Sequence, residues 1–254
     1  MNKDLWGRTP DELAIERIKE FEPPEGYYLA FSGGKDSVCL YDLTERSGVK
    51  FDAHYSVTTC DPPELIYFMR EHYPQVHWER PKESIFKAIS HRGFPLRRWR
   101  WCCGEYKEAH GKDRVVLVGS RAAESPRRKN SLMIRQCFEK HQTIISPILD
   151  WKDGDVWDYI NERALPYCEL YDQGWDRLGC VICPFERKVE MAMKRWPRMF
   201  EVLKKSFQTL YDSKENCQAR WSSSEEMYNW WLDRDAKYPT KDEQNLNLFD
   251  EQGA

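Results

Sequence analysis

Apolar residues along this chain recur at two spacings, and the changes between them lay out a fold. Over 9–21, TPDELAIERIKEF, they fall on one helical face, with Thr9 at the N-cap, Pro10 at the first helical position and Glu12 where a capping box closes. Pro23 and Pro24 end that helix, and the short apolar run YYLAF, 27–31, predicts a strand. Helical spacing returns in DSVCLYDLTERSG, 36–48, and stops at Gly48. The pattern then alternates: strand-like KFDAHYSV (50–57), helix-like PPELIYFMREHY (62–73), strand-like VHWER (76–80) and helix-like KESIFKAISHRG (82–93). Two further strands are predicted in RVVLVGS (114–120) and TIISPIL (143–149).

Strands alternating with helices of this length predict an α/β fold: a mostly parallel sheet with helices on both faces. From residue 185 onward the chain is helical and charged, which predicts a helical C-terminal appendage. The expected organisation is an N-terminal helix (1–25), a nucleotide-binding domain (26–184), a helical region (185–238) and a polar tail (239–254).

Composition narrows the options. A net charge of −3 excludes a general polycation, so any nucleic-acid contact must come from a local patch. No run of 18 apolar residues occurs, and the charged N-terminus lacks a signal-peptide core, so a cytoplasmic protein without membrane contact is expected. In a reducing compartment the 9 cysteines do not form a disulfide framework. Cys39, Cys60, Cys137 and Cys217 stand alone and read as small apolar fillers.

The chemistry gathers at two strand ends, where ligands of parallel sheets bind. After the first strand comes Ser32-Gly33-Gly34-Lys35-Asp36-Ser37, and then a helix. Two glycines bring main-chain N–H groups against an anion, the helix N-terminus faces the same anion, and Ser32, Ser37 and Lys35 add hydroxyls and charge. The spacing is neither that of a Walker loop nor that of a dinucleotide fold. Beyond the strand at 114–120, the segment GSRAAESPRR carries Gly119, Arg121, Arg127 and Arg128, with guanidinium donors suited to phosphate or sulfate oxygens.

The six-residue loop resembles the S-G-G-x-D-S loop of the PP-loop superfamily, the ATP pyrophosphatases or adenine-nucleotide α-hydrolase-like proteins. GSRAAES resembles a segment of one branch, the phosphoadenylyl-sulfate reductase family. The resemblance spans about residues 26–190, with RWCCGEYKE, ILDWKDGDVWDYI and YCELYDQGWDRLGCVICP in the family's order. It implies that Ser32 to Ser37, Gly119, Arg121, Arg127 and Arg128 bind ATP, with magnesium, or an adenylyl sulfate. Lys35, Asp36 and Arg121 are then the catalytic candidates. TTCDPPE stands where the family has a D-T-G-x-x-x-P-E-like segment, which makes Thr58 and Thr59 candidates for the adenine pocket, although the acidic residue and glycine are missing.

Two cysteine pairs, Cys102-Cys103 and Cys180-x-x-Cys183, are separated by 76 residues. In a cytosolic protein such pairs point to zinc or iron–sulfur. Adjacent ligands crowd one tetrahedral ion, whereas each can take its own corner of a cube, which favours iron–sulfur. The same pattern resembles the motif by which adenylyl-sulfate reductases bind a [4Fe–4S] cluster. Cys168, 11 residues before Cys180, is a possible replacement ligand.

The family's reductases also use a nucleophilic cysteine in a C-terminal E-C-G-[IL]-H segment, and this sequence has none. The expected function is therefore activation at a nucleotide α-phosphate coupled to sulfur transfer, with a sulfur donor or reductant protein as partner. Sulfonucleotide reduction releasing sulfite is the alternative. A third reading is a non-catalytic nucleotide- or nucleic-acid-binding module. HRGFPLRRWRW interleaves Arg92, Arg97, Arg98 and Arg100 with Phe94, Trp99 and Trp101, a composition that can grip tRNA or DNA.

Overall fold

The N-terminal helix forms as its capping signals require. Pro10–Glu20 is helical and the Thr9 N–H donates to Glu12 Oε2 at 2.8 Å. The structure is a computed structural model that describes residues 7–233 and 236. Two units make it up. The first comprises the chain up to Val57, Pro63–Arg80 and Glu108–Gly179, and the second Thr58–Pro62, Pro81–Lys107 and the chain from Cys180 onward. The expected N-terminal helix thus belongs to the first unit. The second is more than the expected appendage, because it recruits two internal segments.

The first unit is built on a six-stranded sheet in the order β3-β2-β1-β4-β6-β5: β1 Tyr27–Ala30, β2 Phe51–Ser56, β3 His77–Glu79, β4 Val115–Val118, β5 Ile134–Cys137 and β6 Gln142–Ile145. All neighbours are parallel except β5, which runs antiparallel to β6 at the edge and is absent from the sequence expectations. Its residues Ile-Arg-Gln-Cys lack the apolar signature of the buried strands and are mostly half-exposed, as an edge permits.

The chain leaves β1 toward β2 and β3 on one side, while β4 and β6 lie on the other. The carboxyl ends of β1 and β4 therefore flank the topological switch point, where a crevice opens in such sheets. Leu29, Val38, Leu40, Leu43, Leu117 and Ile145 are fully buried in this unit. The Tyr27 hydroxyl ties the N-terminal helix to the sheet by donating to the Ile18 carbonyl at 2.8 Å.

The second unit has its own aromatic core, which holds Trp221, Trp230 and Trp231. Phe94 stacks on Phe207 at 4.9 Å, Trp221, Trp230 and Trp231 close around them, and Trp231 Nε1 donates to the Pro95 carbonyl at 2.8 Å. Phe94 is 1% exposed, so it is a core residue and not part of a stacking surface, a correction to the reading of the 92–101 stretch. Among the described residues no helix is long and apolar enough to cross a membrane.

Candidate functional site

Ser32–Ser37 leaves β1 at the switch point, and the helix Lys35–Ser47 begins within it. The two glycines have different reasons to be there. Gly33 has φ +70, and a Cβ on it would lie 2.7 Å from Met69 Sδ and 2.8 Å from Leu65 Cδ1, so the fold itself demands glycine. Gly34 has φ −78 and a Cβ would meet only Tyr171 Oη at 3.4 Å and Ser32 Oγ at 3.5 Å. Nothing in the packing requires glycine there, and the bare backbone is a cradle that a methyl group would fill. Gly119 is a third case: a Cβ would sit 3.0 Å from the Asp36 carbonyl, because the end of β4 presses against the first turn of the helix.

Hydroxyls set the shape of the loop. Ser37 Oγ donates to the Gly34 carbonyl at 2.8 Å and accepts from the Ser32 N–H at 3.2 Å. The Lys35 N–H donates to Tyr171 Oη at 2.9 Å, and the Lys35 ammonium lies 5.8 Å from that ring's centroid. Burial pushes the Tyr171 phenol well above its ordinary range, so it keeps its proton and has one to give to an anion. Sequence reasoning quoted the segment around Tyr171 but did not single the residue out.

Arg121, 2% exposed, is the hub of the charges. Its Nε donates to Asp36 Oδ1 at 2.5 Å and its NH2 to Asp153 Oδ1 at 2.6 Å. Lys35 Nζ lies 3.5 Å from Asp36 Oδ2 and 3.4 Å from Asp153 Oδ1. Burial disfavours the Asp153 carboxylate, but the Arg121 hydrogen bond and the Lys35 charge outweigh it and hold its pKa below the ordinary value. Asp153 is a second site residue that sequence reasoning missed. Its signal was the DWKDGD run at the start of the helix Asp153–Glu162. Arg128 is exposed and pairs with Glu124, which compensates its charge; the Arg127 side chain lies outside the described residues.

The cysteines gather in the second unit. Cys102 and Cys103 interact, and Cys102 also feels Cys180 and Cys183. The hydrogen bond with Cys102 lowers the Cys103 thiol to about 7, and that with Cys60 lowers Cys180 to about 6. Their negative charge, Cys180's first, holds the Lys107 ammonium well above the ordinary lysine range. Two donors beside the Cys102-Cys103 pair, Trp101 Nε1 and the Tyr106 hydroxyl, are buried with no hydrogen-bond partner among the described residues. Soft sulfur donors beside orphaned N–H and O–H groups suit an iron–sulfur cluster, whose sulfurs accept hydrogen bonds; of the coupled adjacent pair, Cys103 is lowered and Cys102 raised. Among the described residues no three His, Cys, Asp or Glu side chains converge as ligands of a single ion do.

The remaining cysteines divide. Cys168 is in the first unit, buried, and the groups that shift it are Leu170, Glu64 and Glu169, with no other sulfur among them. Cys217 is 2% exposed, and burial outweighs Arg220 and Lys214 to push its thiol up. Cys39 is buried filler as expected, and Cys137 is half-buried at the sheet edge. Cys60 is not simple filler: its carbonyl accepts the Val181 N–H at 2.8 Å, beside Cys180, and the two thiols shift one another. Thr58 and Thr59 are engaged with this segment: Thr58 Oγ1 lies 3.5 Å from Cys60 Sγ, and Thr59 Oγ1 accepts the Ile85 N–H at 2.9 Å. Of the 92–101 stretch, Arg97, Arg98, Trp99 and Arg100 are exposed, with the Arg97 and Arg100 guanidiniums 6.0 and 5.5 Å from the Phe185 ring centroid. Arg92 is instead paired with Glu105.

Comparison with known proteins identifies the family. An adenosine 5′-phosphosulfate reductase of Staphylococcus haemolyticus is 28% identical over 166 residues, 60% of this chain and 68% of the relative. A Methanocaldococcus jannaschii protein, MJ0066, is 28% identical over 218 residues, 80% of this chain. The chain spans 44% of the length of that relative and 47% of a second one from the same organism. The crystal structure of phosphoadenylyl-sulfate reductase from Candida auris in a phosphate complex shares the fold, with a TM-score of 0.52, 21% identity, and coverage of 69% of this chain and 90% of that one. The model of the phosphoadenosine phosphosulfate reductase domain matches residues 26–186, which hold the switch-point loop, Arg121, Asp153 and all four paired cysteines, and the chain belongs to that family.

Proposed function

We propose that the chain is an adenine-nucleotide-dependent enzyme of sulfur transfer, which binds ATP at Ser32–Ser37 and activates an acceptor at the α-phosphate. The observation that carries this reading is the pairing of two carboxylates, Asp36 and Asp153, with Lys35 and Arg121 at the loop. Two carboxylates beside a phosphate cradle suit a magnesium-bound polyphosphate. Magnesium, when held by them, neutralises charge on the phosphate oxygens. The chain's own groups do the rest. The Gly34 backbone admits the anion, the Tyr171 hydroxyl donates to it, and Lys35 and Arg121 stabilise the charge that grows as an acceptor attacks the α-phosphorus and pyrophosphate leaves with the bonding electron pair. Cys102, Cys103, Cys180 and Cys183 would hold a [4Fe–4S] cluster, which supplies sulfur and redox chemistry when bound. Zinc is the lesser alternative, because its ligands converge on one point.

Sulfonucleotide reduction remains the second reading, favoured by the name of the staphylococcal relative. It requires a thiol that reaches the substrate sulfur, and the buried, poorly ionised Cys217 does not suit that task. For the acceptor, the exposed Arg97, Arg98, Trp99 and Arg100 favour a nucleic acid such as tRNA or DNA. A reductant or sulfur-donor protein completes the cycle. Incubating anaerobically purified protein with ATP and, separately, with each adenylyl sulfate decides the matter. AMP and pyrophosphate from ATP are expected; sulfite from a sulfonucleotide with no ATP cleavage would reverse the assignment.

A further inference from the structure

Cys60 is 0% exposed, yet its surroundings are not those of an apolar filler. Thr58 Oγ1 lies 3.5 Å from Cys60 Sγ, the main chain holds Cys60 beside the segment that starts at Cys180, and the Cys60 and Cys180 thiols shift one another. The main chain fixes the arrangement without help from the thiol. The Val181 N–H donates to the Cys60 carbonyl at 2.8 Å, which clamps the C-x-x-C segment to the 58–61 segment. Within that segment the Thr58 N–H donates to Asp61 Oδ2 at 3.0 Å. Thr59, at φ 64, holds the turn by accepting the Ile85 N–H. The backbone thus delivers one thiol and one hydroxyl, both able to donate, to a single sulfur.

Resting on the reading that Cys102, Cys103, Cys180 and Cys183 hold a [4Fe–4S] cluster, we propose that Cys60 is a positioning residue whose S–H, supported by Thr58, donates a hydrogen bond to the ligating Cys180 sulfur. Four thiolates fill the corners of a cube, so a fifth thiol in the group is a donor and not a corner. A hydrogen bond to a ligating thiolate withdraws negative charge from the cluster, favours its reduced form and raises its reduction potential. The proton stays on Cys60 throughout, and nothing is consumed.

The test compares the full chain with Cys60→Val and Cys60→Ser after anaerobic reconstitution with iron and sulfide. Valine fills the space with no donor, and serine keeps one. Iron and sulfide per chain are expected to be equal in all three. The cluster potential, followed by spectroelectrochemistry, is expected to fall in Cys60→Val and to stay near wild type in Cys60→Ser. An unmoved potential in Cys60→Val at full iron content overturns this inference alone. Loss of iron from both variants also overturns it, by making Cys60 itself a corner. Wild-type protein that takes up no iron overturns the cluster reading together with this one.

Discussion

The adjacent glycines of the switch-point loop respond in opposite ways to the same substitution. Gly33→Ala forces an L-residue to φ +70, which costs about 1–2 kcal/mol. Its methyl group also lands 2.7–2.8 Å from Met69 and Leu65, and such overpacking adds about 1–3 kcal/mol. The total of about 2–5 kcal/mol predicts a fall in Tm of roughly 4–20 °C. Gly34→Ala meets ordinary contacts at 3.4–3.5 Å and an allowed φ. As an N-cap it changes stability by no more than about 1 kcal/mol in either direction. Its effect falls on the ligand, because the methyl group stands where the anion approaches the main chain. Losing one charge-assisted hydrogen bond, worth about 1.5–3 kcal/mol, weakens Kd about ten- to hundredfold. Denaturant melts and calorimetric titration with a non-hydrolysable ATP analogue separate the two effects. Equal destabilisation by both variants, or unchanged affinity in a folded Gly34→Ala, would refute the assignment of Gly33 to the fold and Gly34 to the ligand.

Arg121→Lys keeps one charge but cannot bridge Asp36 and Asp153; nucleotide binding is expected to be lost, with a stability cost of about 2–3 kcal/mol by denaturant melt, below that of a fully buried pair because Asp153 is exposed. Burial raises the phenols of Tyr27, Tyr28, Tyr73, Tyr159 and Tyr171. The fold therefore holds protons that the unfolded chain releases near pH 10, and stability, complete below that pH, falls as pH rises through it, by up to about 1.4 kcal/mol per pH unit for each tyrosine. Denaturant melts between pH 8 and 11, with tyrosinate absorbance of the folded protein, check this; a flat profile contradicts it. Replacing Arg97, Arg98 and Arg100 together by Ala is expected to weaken tRNA or single-stranded DNA binding and to reduce its salt slope by up to about 3, measured by fluorescence anisotropy. Unchanged binding would remove this surface from the acceptor site.

Much of the fold was legible because β1, β4 and β6 carry apolar runs, β2 and β3 stand between clear helical patterns, and most of those helices carry capping or stop residues. The exception is instructive. Ile134–Cys137 lies at the sheet edge without an apolar pattern and, unlike the other edge strand His77–Glu79, is not set between two long helical patterns, so its identity as a strand comes from β6 and not from its own residues. The two-unit division was illegible for a related reason. Thr58–Pro62 and Pro81–Lys107 are far from the C-terminal helices in sequence, and only packing, such as Phe94 on Phe207, assigns them there.

The candidate sites divide along the same line between local and non-local information. Ser32–Ser37 is a local motif, because six consecutive residues supply backbone, hydroxyls and charge, and the structure keeps them together. Its partners Tyr171 and Asp153 come from segments 118 to 136 residues away, and a lone tyrosine or aspartate in a loop carries no mark of the contact it makes. Cys60 shows the limit most sharply. One small buried cysteine is most simply a filler, and nothing adjacent to it in sequence argues otherwise. Its chemistry appears only when the Val181 N–H meets the Cys60 carbonyl and brings the two sulfurs together. Paired cysteines announce a site through spacing along the chain, whereas a hydrogen-bond donor to that site has no spacing to announce, and its position relative to one sulfur has to be read from the folded structure.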